Sequence, residues 1–247
     1  MAITIRQEKS NQGGAVATLA VTLTSTTLAG SVVAVAAGMD AAGTDITFTD
    51  DKSDSPTDSG SGLLTGGTGK SRMAAFLVTT TGAQVFTAHY TGSPGFTEVV
   101  AWEVTGLTSP LFDKHVNATG TSASASSGST GTLSAAAEAG LSYIFCANLM
   151  LTGTEGAGWT EDEITAGNGS MIQHIVTAAT TAITATGTEN PSGTWDAWAV
   201  TLQSAAAGDT LGGAMQKIFI RKMLGWRKNI ERKWRKRNGL LVPVWEF

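Results

Sequence analysis

Lysine and arginine are almost missing from the first 213 residues of this 247-residue chain, where 6 basic side chains stand against 18 acidic ones, a balance of −12. The remaining 34 residues carry 10 basic and 2 acidic side chains, or +8, and all ten cations lie between Lys217 and Arg237. A charge split that sharp marks two parts with different jobs, and it makes the overall −4 a misleading average. Cysteine is scarcer still. The one thiol, Cys146, excludes an internal disulfide, and its apolar surroundings, Leu141-Ser-Tyr-Ile-Phe-Cys-Ala, predict a small buried hydrophobe rather than a nucleophile. Long apolar runs are absent too: no uncharged stretch approaches the ~20 residues that a membrane-spanning helix needs. The first dozen residues, Met-Ala-Ile-Thr-Ile-Arg-Gln-Glu-Lys-Ser-Asn-Gln, carry charges where the apolar core of a signal peptide would lie. A soluble protein made in a bacterial-type cytoplasm is expected.

Charged residues make up 15% of the chain, against roughly 25% in an average soluble domain. Threonine, serine, alanine and glycine take their place, while an apolar fraction of 42% is enough for a substantial core. Short β-type runs recur at Ala15 to Ser25, Ser31 to Ala37, Asp45 to Thr49, Met73 to Thr80, Gln84 to Tyr90, Glu98 to Thr105, Leu141 to Leu151, Ser170 to Ala178, Ala182 to Thr186 and Thr194 to Gln203. Apolar and hydroxyl side chains alternate in Val21-Thr-Leu-Thr and Ile46-Thr-Phe-Thr, the period-2 pattern of a half-buried strand. Asp50 to Gly69 and Thr119 to Thr132 read as surface loops, and Ser134 to Ala139 and Glu161 to Thr165 as single helical turns. The expectation is an all-β, jelly-roll-like β-sandwich of about ten strands over residues 15–207, preceded by an N-terminal arm at 1–14.

After Ser204 a hinge rich in alanine and glycine leads into helical periodicity from Ala214 onward. Met215, Phe219, Met223, Trp226, Ile230 and Trp234 recur at steps of three and four and would line one face of a basic amphipathic helix, which Asn238-Gly239 would stop. The apolar end Leu240-Leu-Val-Pro-Val-Trp-Glu-Phe247 suits an extended segment covered by something else. Residues 208–247 therefore read as hinge, helix and anchoring tail, with Met215, Phe219, Met223, Trp226, Ile230, Trp234, Trp245 and Phe247 as candidate interface residues. Arg227, Lys228, Arg232, Lys233, Arg235, Lys236 and Arg237 would steer the docking.

Several motifs suggest chemistry, and most fail on spacing. Gly66-Gly-Thr-Gly-Lys70-Ser71 resembles the end of a phosphate-binding loop, but the first glycine of that motif is replaced by Leu64 and a strand pattern follows. Asp50, Asp51, Asp54 and Asp58 lack calcium-loop spacing. His89, His115 and His174 stand singly, which excludes a zinc motif. Glu155, Glu161, Asp162 and Glu163 could supply a carboxylate pair and equally describe any acidic loop. Trp195 and Trp198, three apart on one strand, must point to opposite faces, so that one is core and one is free to meet a sugar ring or another subunit. No catalytic residue, metal ligand or cofactor is assigned.

The body as a whole, through Ser31-Val-Val-Ala-Val-Ala-Ala-Gly, Ile46-Thr-Phe-Thr-Asp-Asp, Val85-Phe-Thr-Ala-His-Tyr-Thr-Gly-Ser and Val99-Val-Ala-Trp-Glu-Val, resembles β-sandwich domains of tailed-bacteriophage virion proteins over about residues 15–204. The resemblance implies a non-enzymatic virion component, a capsid decoration or head/tail accessory protein, made in the host cytoplasm. Its partners would be other capsid or tail subunits, in a homo-oligomer and without a membrane. Two alternatives stay open: a carbohydrate- or receptor-binding module, which needs an exposed tryptophan platform, and a nucleic-acid-binding accessory protein that uses the basic segment, whose affinity would fall steeply with salt.

Overall fold

The computed structural model describes residues 2–60, 62–66, 69–107, 112–135, 137–146, 154–164, 170–203, 234–237 and 240–243. They divide into two compact units, 1–204 and 205–247. The first holds β1 (Thr4–Gly13), β2 (Thr18–Thr22), β3 (Val32–Asp40), β4 (Gly43–Asp50), β5 (Pro56–Asp58), β6 (Leu64–Thr65), β7 (Gly69–Leu77), β8 (Val85–Gly92), β9 (Thr97–Thr105), β10 (Lys114–Ser129), β11 (Glu138–Cys146), β12 (Thr160–Ile164), β13 (Met171–Val176) and β14 (Thr184–Gln203). The second holds β15 (Trp234–Arg237) and β16 (Leu240–Pro243). Every pairing is antiparallel.

The body is built on three sheets. A central one runs β1-β9-β3-β7-β5, with β6 beside β7; a second runs β10-β14-β11-β13-β12; a third runs β2-β8-β4. The alternation of side chains along a strand explains the stacking. Val32, Ala34 and Ala36 of β3 share one hydrophobic cluster with Leu141, Tyr143 and Trp198 of the second sheet. Val33, Val35, Ala37 and Met39 share another with Ile46, Phe48 and Phe86 of the third. The central sheet is therefore covered on both faces, and for that reason β3 and β9 are near-continuous apolar runs while β4, covered on one face, alternates. Close approach sets one residue choice. At Gly38, on the face turned to the second sheet, a Cβ would collide with Tyr143 and the Phe145 ring, so only glycine lets the layers meet there.

Several segments differ from the sequence expectation. Residues 4–13, read as an arm, form β1, an edge strand of the central sheet paired with β9. Thr119 to Thr132, read as a loop, lies mostly in β10, which pairs with β14 from Lys114 to Ser129. That strand lacks large side chains because β14 brings the bulk: a Cβ on Gly120 would strike the Trp195 indole. The turn expected at Glu161 to Thr165 is strand through Ile164, and the expected loop at Asp50 to Gly69 contains β5 and β6. Thr184 to Thr186, of the expected run Ala182 to Thr186, and Thr194 to Gln203 belong to one long strand with an irregularity opposite Ser122 to Ser124.

In the second unit, the helix expected from Ala214 falls outside the described residues up to 233. Among the described residues of this unit, Trp234–Arg237 pair with Leu240–Pro243 in a register that sets Arg237 opposite Leu240.

Candidate functional site

Where a motif suggested chemistry, the fold uses its side chains as structural ties. Gly69, Lys70 and Ser71 open β7, so a strand and not a helix N-terminus follows the glycines. The Lys70 ammonium donates to the carbonyls of Ala41 and Gly43, and the Trp198 indole donates to Ser71 Oγ at 2.6 Å. Of the aspartates, Asp50 and Asp54 both accept from the Gln84 amide, Asp54 also from Thr79 Oγ1 at 2.5 Å, Asp51 from the Val85 amide at 2.9 Å, and Asp58 from Arg72 at 2.5 Å. Among the described residues no group of three or more His, Cys, Asp or Glu is placed to hold a metal ion.

The tryptophans separate as the register demands: Trp198 enters the cluster between the central and second sheets, and Trp195 enters a cluster on the opposite face. Both are buried, and so is Trp159, which corrects the expectation that one of the pair is exposed. The physical reason is a covering ribbon. Ala125 of β10 packs with Trp195, while Ile183 and Ala185 pack with Trp159, closing the outer face of the second sheet. Cys146 is buried beside Ile144 and Met171.

Two carboxyls stand out, one buried and one half-buried. Asp196, 2% exposed, sits beneath Gly66, where an added Cβ would overlap its carboxylate. Burial pushes it up to about 7 against the opposing bonds from Ser71 and the Gly66 amide. Because the folded-state value lies above the ordinary 3.8, the folded protein holds this proton more tightly than the unfolded chain. Asp196 therefore costs stability as pH rises from about 4 through about 7. Asp196→Asn, which keeps the shape and removes the charge, is expected to add about 1–2 kcal/mol at pH 8 and almost nothing at pH 4.5. Urea unfolding at the two pH values reads the difference. By contrast Glu103 lies in a cage: burial opposes its charge, but Gln7, the Leu28 amide, Arg6 and Ser31 all donate to it and hold it below the ordinary carboxylate range.

The second carboxyl belongs to a cluster that joins two sheet edges. β12 carries an extra residue between Glu161 and Glu163 in its pairing with β13, and that residue is Asp162. Such a bulge re-aims side chains. Asp162 accepts from the Trp102 indole of β9 at 3.0 Å and meets His174 Nδ1 of β13 at 2.5 Å. Glu163 accepts from Ser10 Oγ of β1 at 2.6 Å, and Glu8, two residues earlier on the same face of β1, stands beside the same carboxyl. Burial, then the negative charges of Asp162 and Glu163, push Glu8 up to about 7, with Lys9 opposing. Sequence reading found the acidic run and the lone histidine but not their union. The only available signal was the acidic Thr-Glu-Asp-Glu-Ile stretch, which carries no trace of the bulge or of Glu8, about 150 residues away.

Of the candidate docking residues, Trp234, Arg235, Lys236 and Arg237 lie in β15. Met215, Phe219, Met223, Trp226, Ile230, Trp245, Phe247, Arg227, Lys228, Arg232 and Lys233 lie outside the described residues. Compared with models of known protein families, with curated proteins and with solved structures, the chain matches none.

Proposed function

We propose that the chain is a non-enzymatic structural protein of a tailed-bacteriophage virion, a capsid decoration or head/tail accessory subunit. Its β-sandwich-type body faces solvent and neighbours, and residues 205–247 dock on adjoining subunits. The observation that carries this reading is the coincidence of three boundaries: the charge balance reverses, the composition turns apolar and aromatic, and the compact body ends, all within about ten residues after Ser204. An acidic body whose polar groups are spent on its own layers is suited to being a platform, and a cationic, tryptophan-rich arm is suited to gripping one. Repetition of identical sites on a particle then multiplies a modest single contact.

The test is whether the chain is part of the particle. Particles purified on a density gradient from infected cells are expected to contain it at many copies each by quantitative immunoblot. Abundance in the lysate with none in intact particles would refute the reading.

A further inference from the structure

We propose that Glu8, Asp162, Glu163 and His174 form a proton-operated latch that ties the edge strand of the central sheet to the edge strand of the second sheet and releases it when the shared proton is lost. β1 ends the central sheet and β12 ends the second. No strand pairing joins the two edges among the described residues, so side chains make the connection: Ser10 donates to Glu163 and Trp102 to Asp162, with Glu8 set beside Glu163. The bulge at Asp162 brings two adjacent acidic residues of β12 toward β1 and β9 together.

The charges facing Glu8 explain why a proton controls the joint. From β12 come Asp162 and Glu163, from its own strand Lys9, and behind Asp162 stands His174 of β13. Three carboxyls thus gather around one histidine and one lysine. A hydrogen bond between two carboxyl groups requires a proton on one of them, so the Glu8–Glu163 tie exists only in the protonated cluster. Ionising Glu8 removes the donor and adds a third negative charge, and both changes push β12 from β1. Burial and those neighbours set the change near neutrality, about 7 for Glu8. The folded-state value lies above the ordinary 4.5, so the latch is closed below neutral pH and opens as pH rises through about 7.

The Trp102 indole is a built-in reporter, because its N–H donates to Asp162. Nitrogen–proton spectra of the full chain, recorded from pH 5.5 to 8.5, follow that indole, assigned by its absence in Trp102→Phe, and the amides of Thr160 to Ile164. The expected result is a cooperative shift of both sets with a midpoint near pH 7. In Glu8→Gln, which keeps a donor at all pH values, the signals should stay at their low-pH positions. Glu163→Gln removes a negative charge and should move the midpoint at least tenfold in proton concentration toward the ordinary carboxyl value. Signals that do not move in the wild-type chain, or that titrate unchanged in either variant, would overturn the latch. Should Glu8→Gln not fold, the midpoint in Glu163→Gln decides alone.

Discussion

Replacing Trp198 by alanine is expected to lower the unfolding free energy by about 3–5 kcal/mol, the range for removing a fully buried large aromatic. Trp198 is 0% exposed and lies on β14 between the second and central sheets. Its loss would open a cavity among Leu141, Val200 and Ala75, side chains held in place by two sheets and unable to collapse fully. The indole also donates to Ser71 Oγ at 2.6 Å, and Ser71 in turn lies 3.4 Å from Asp196. Truncation therefore strips a buried hydroxyl of its donor beside a carboxyl already disfavoured by burial. Trp198→Phe, which restores most of the volume but not the N–H, should recover more than half of the loss. Equilibrium urea unfolding of the three proteins separates packing from hydrogen bonding; equal stability of the alanine variant and the wild type would contradict the stacking of the sheets.

Alanine at Trp226, Trp234 and Phe247 together is expected to lower incorporation into particles by at least a thousandfold while leaving the unfolding midpoint of the body unchanged. Fully burying one such side chain contributes about 1.5–3 kcal/mol, so three supply roughly 4.5 kcal/mol or more, and every 1.4 kcal/mol is about tenfold in affinity. Neutralising Arg235, Lys236 and Arg237 with glutamine should act differently. Exposed charges steer encounter more than they hold a complex, so incorporation should slow by about tenfold and become less salt-dependent, with little change in the fraction finally bound. Quantitative blotting of purified particles, at several salt concentrations and times, distinguishes the two. If the charge variant fails as completely as the aromatic one, attraction to an acidic or phosphate surface, and not burial, carries the docking.

The all-β class was legible in the sequence because period-2 alternation and frequent turns are local properties. Three stacked layers were less so. Val32 to Met39 is apolar at every position, and a continuous run of that kind does not say which sheet covers which face. β1 and β10 escaped notice for opposite reasons: residues 4–13 are polar because an edge strand needs only backbone partners, and β10 is small because its neighbour supplies Trp195. The opposite facing of Trp195 and Trp198 followed from spacing alone, but the burial of Trp195 depended on Ala125, some seventy positions earlier. Trp234 to Arg237 fit a helical stripe and a strand equally well, since four residues are too few to separate a period of 3.6 from one of 2. The seam of Glu8, Asp162, Glu163 and His174 is assembled by tertiary contact and a bulge, neither of which leaves a local mark.

Trypsin tests the docking arm most directly, since ten of the sixteen basic residues lie between Lys217 and Arg237. Brief digestion of the full-length chain, free in solution and within purified particles, followed by mass spectrometry of the released peptides, compares access to those ten sites. Docking on neighbouring subunits predicts rapid cleavage in the free chain and protection by at least tenfold in the particle. Equal cleavage rates in the two states would mean that the arm grips nothing there, and the account would fail.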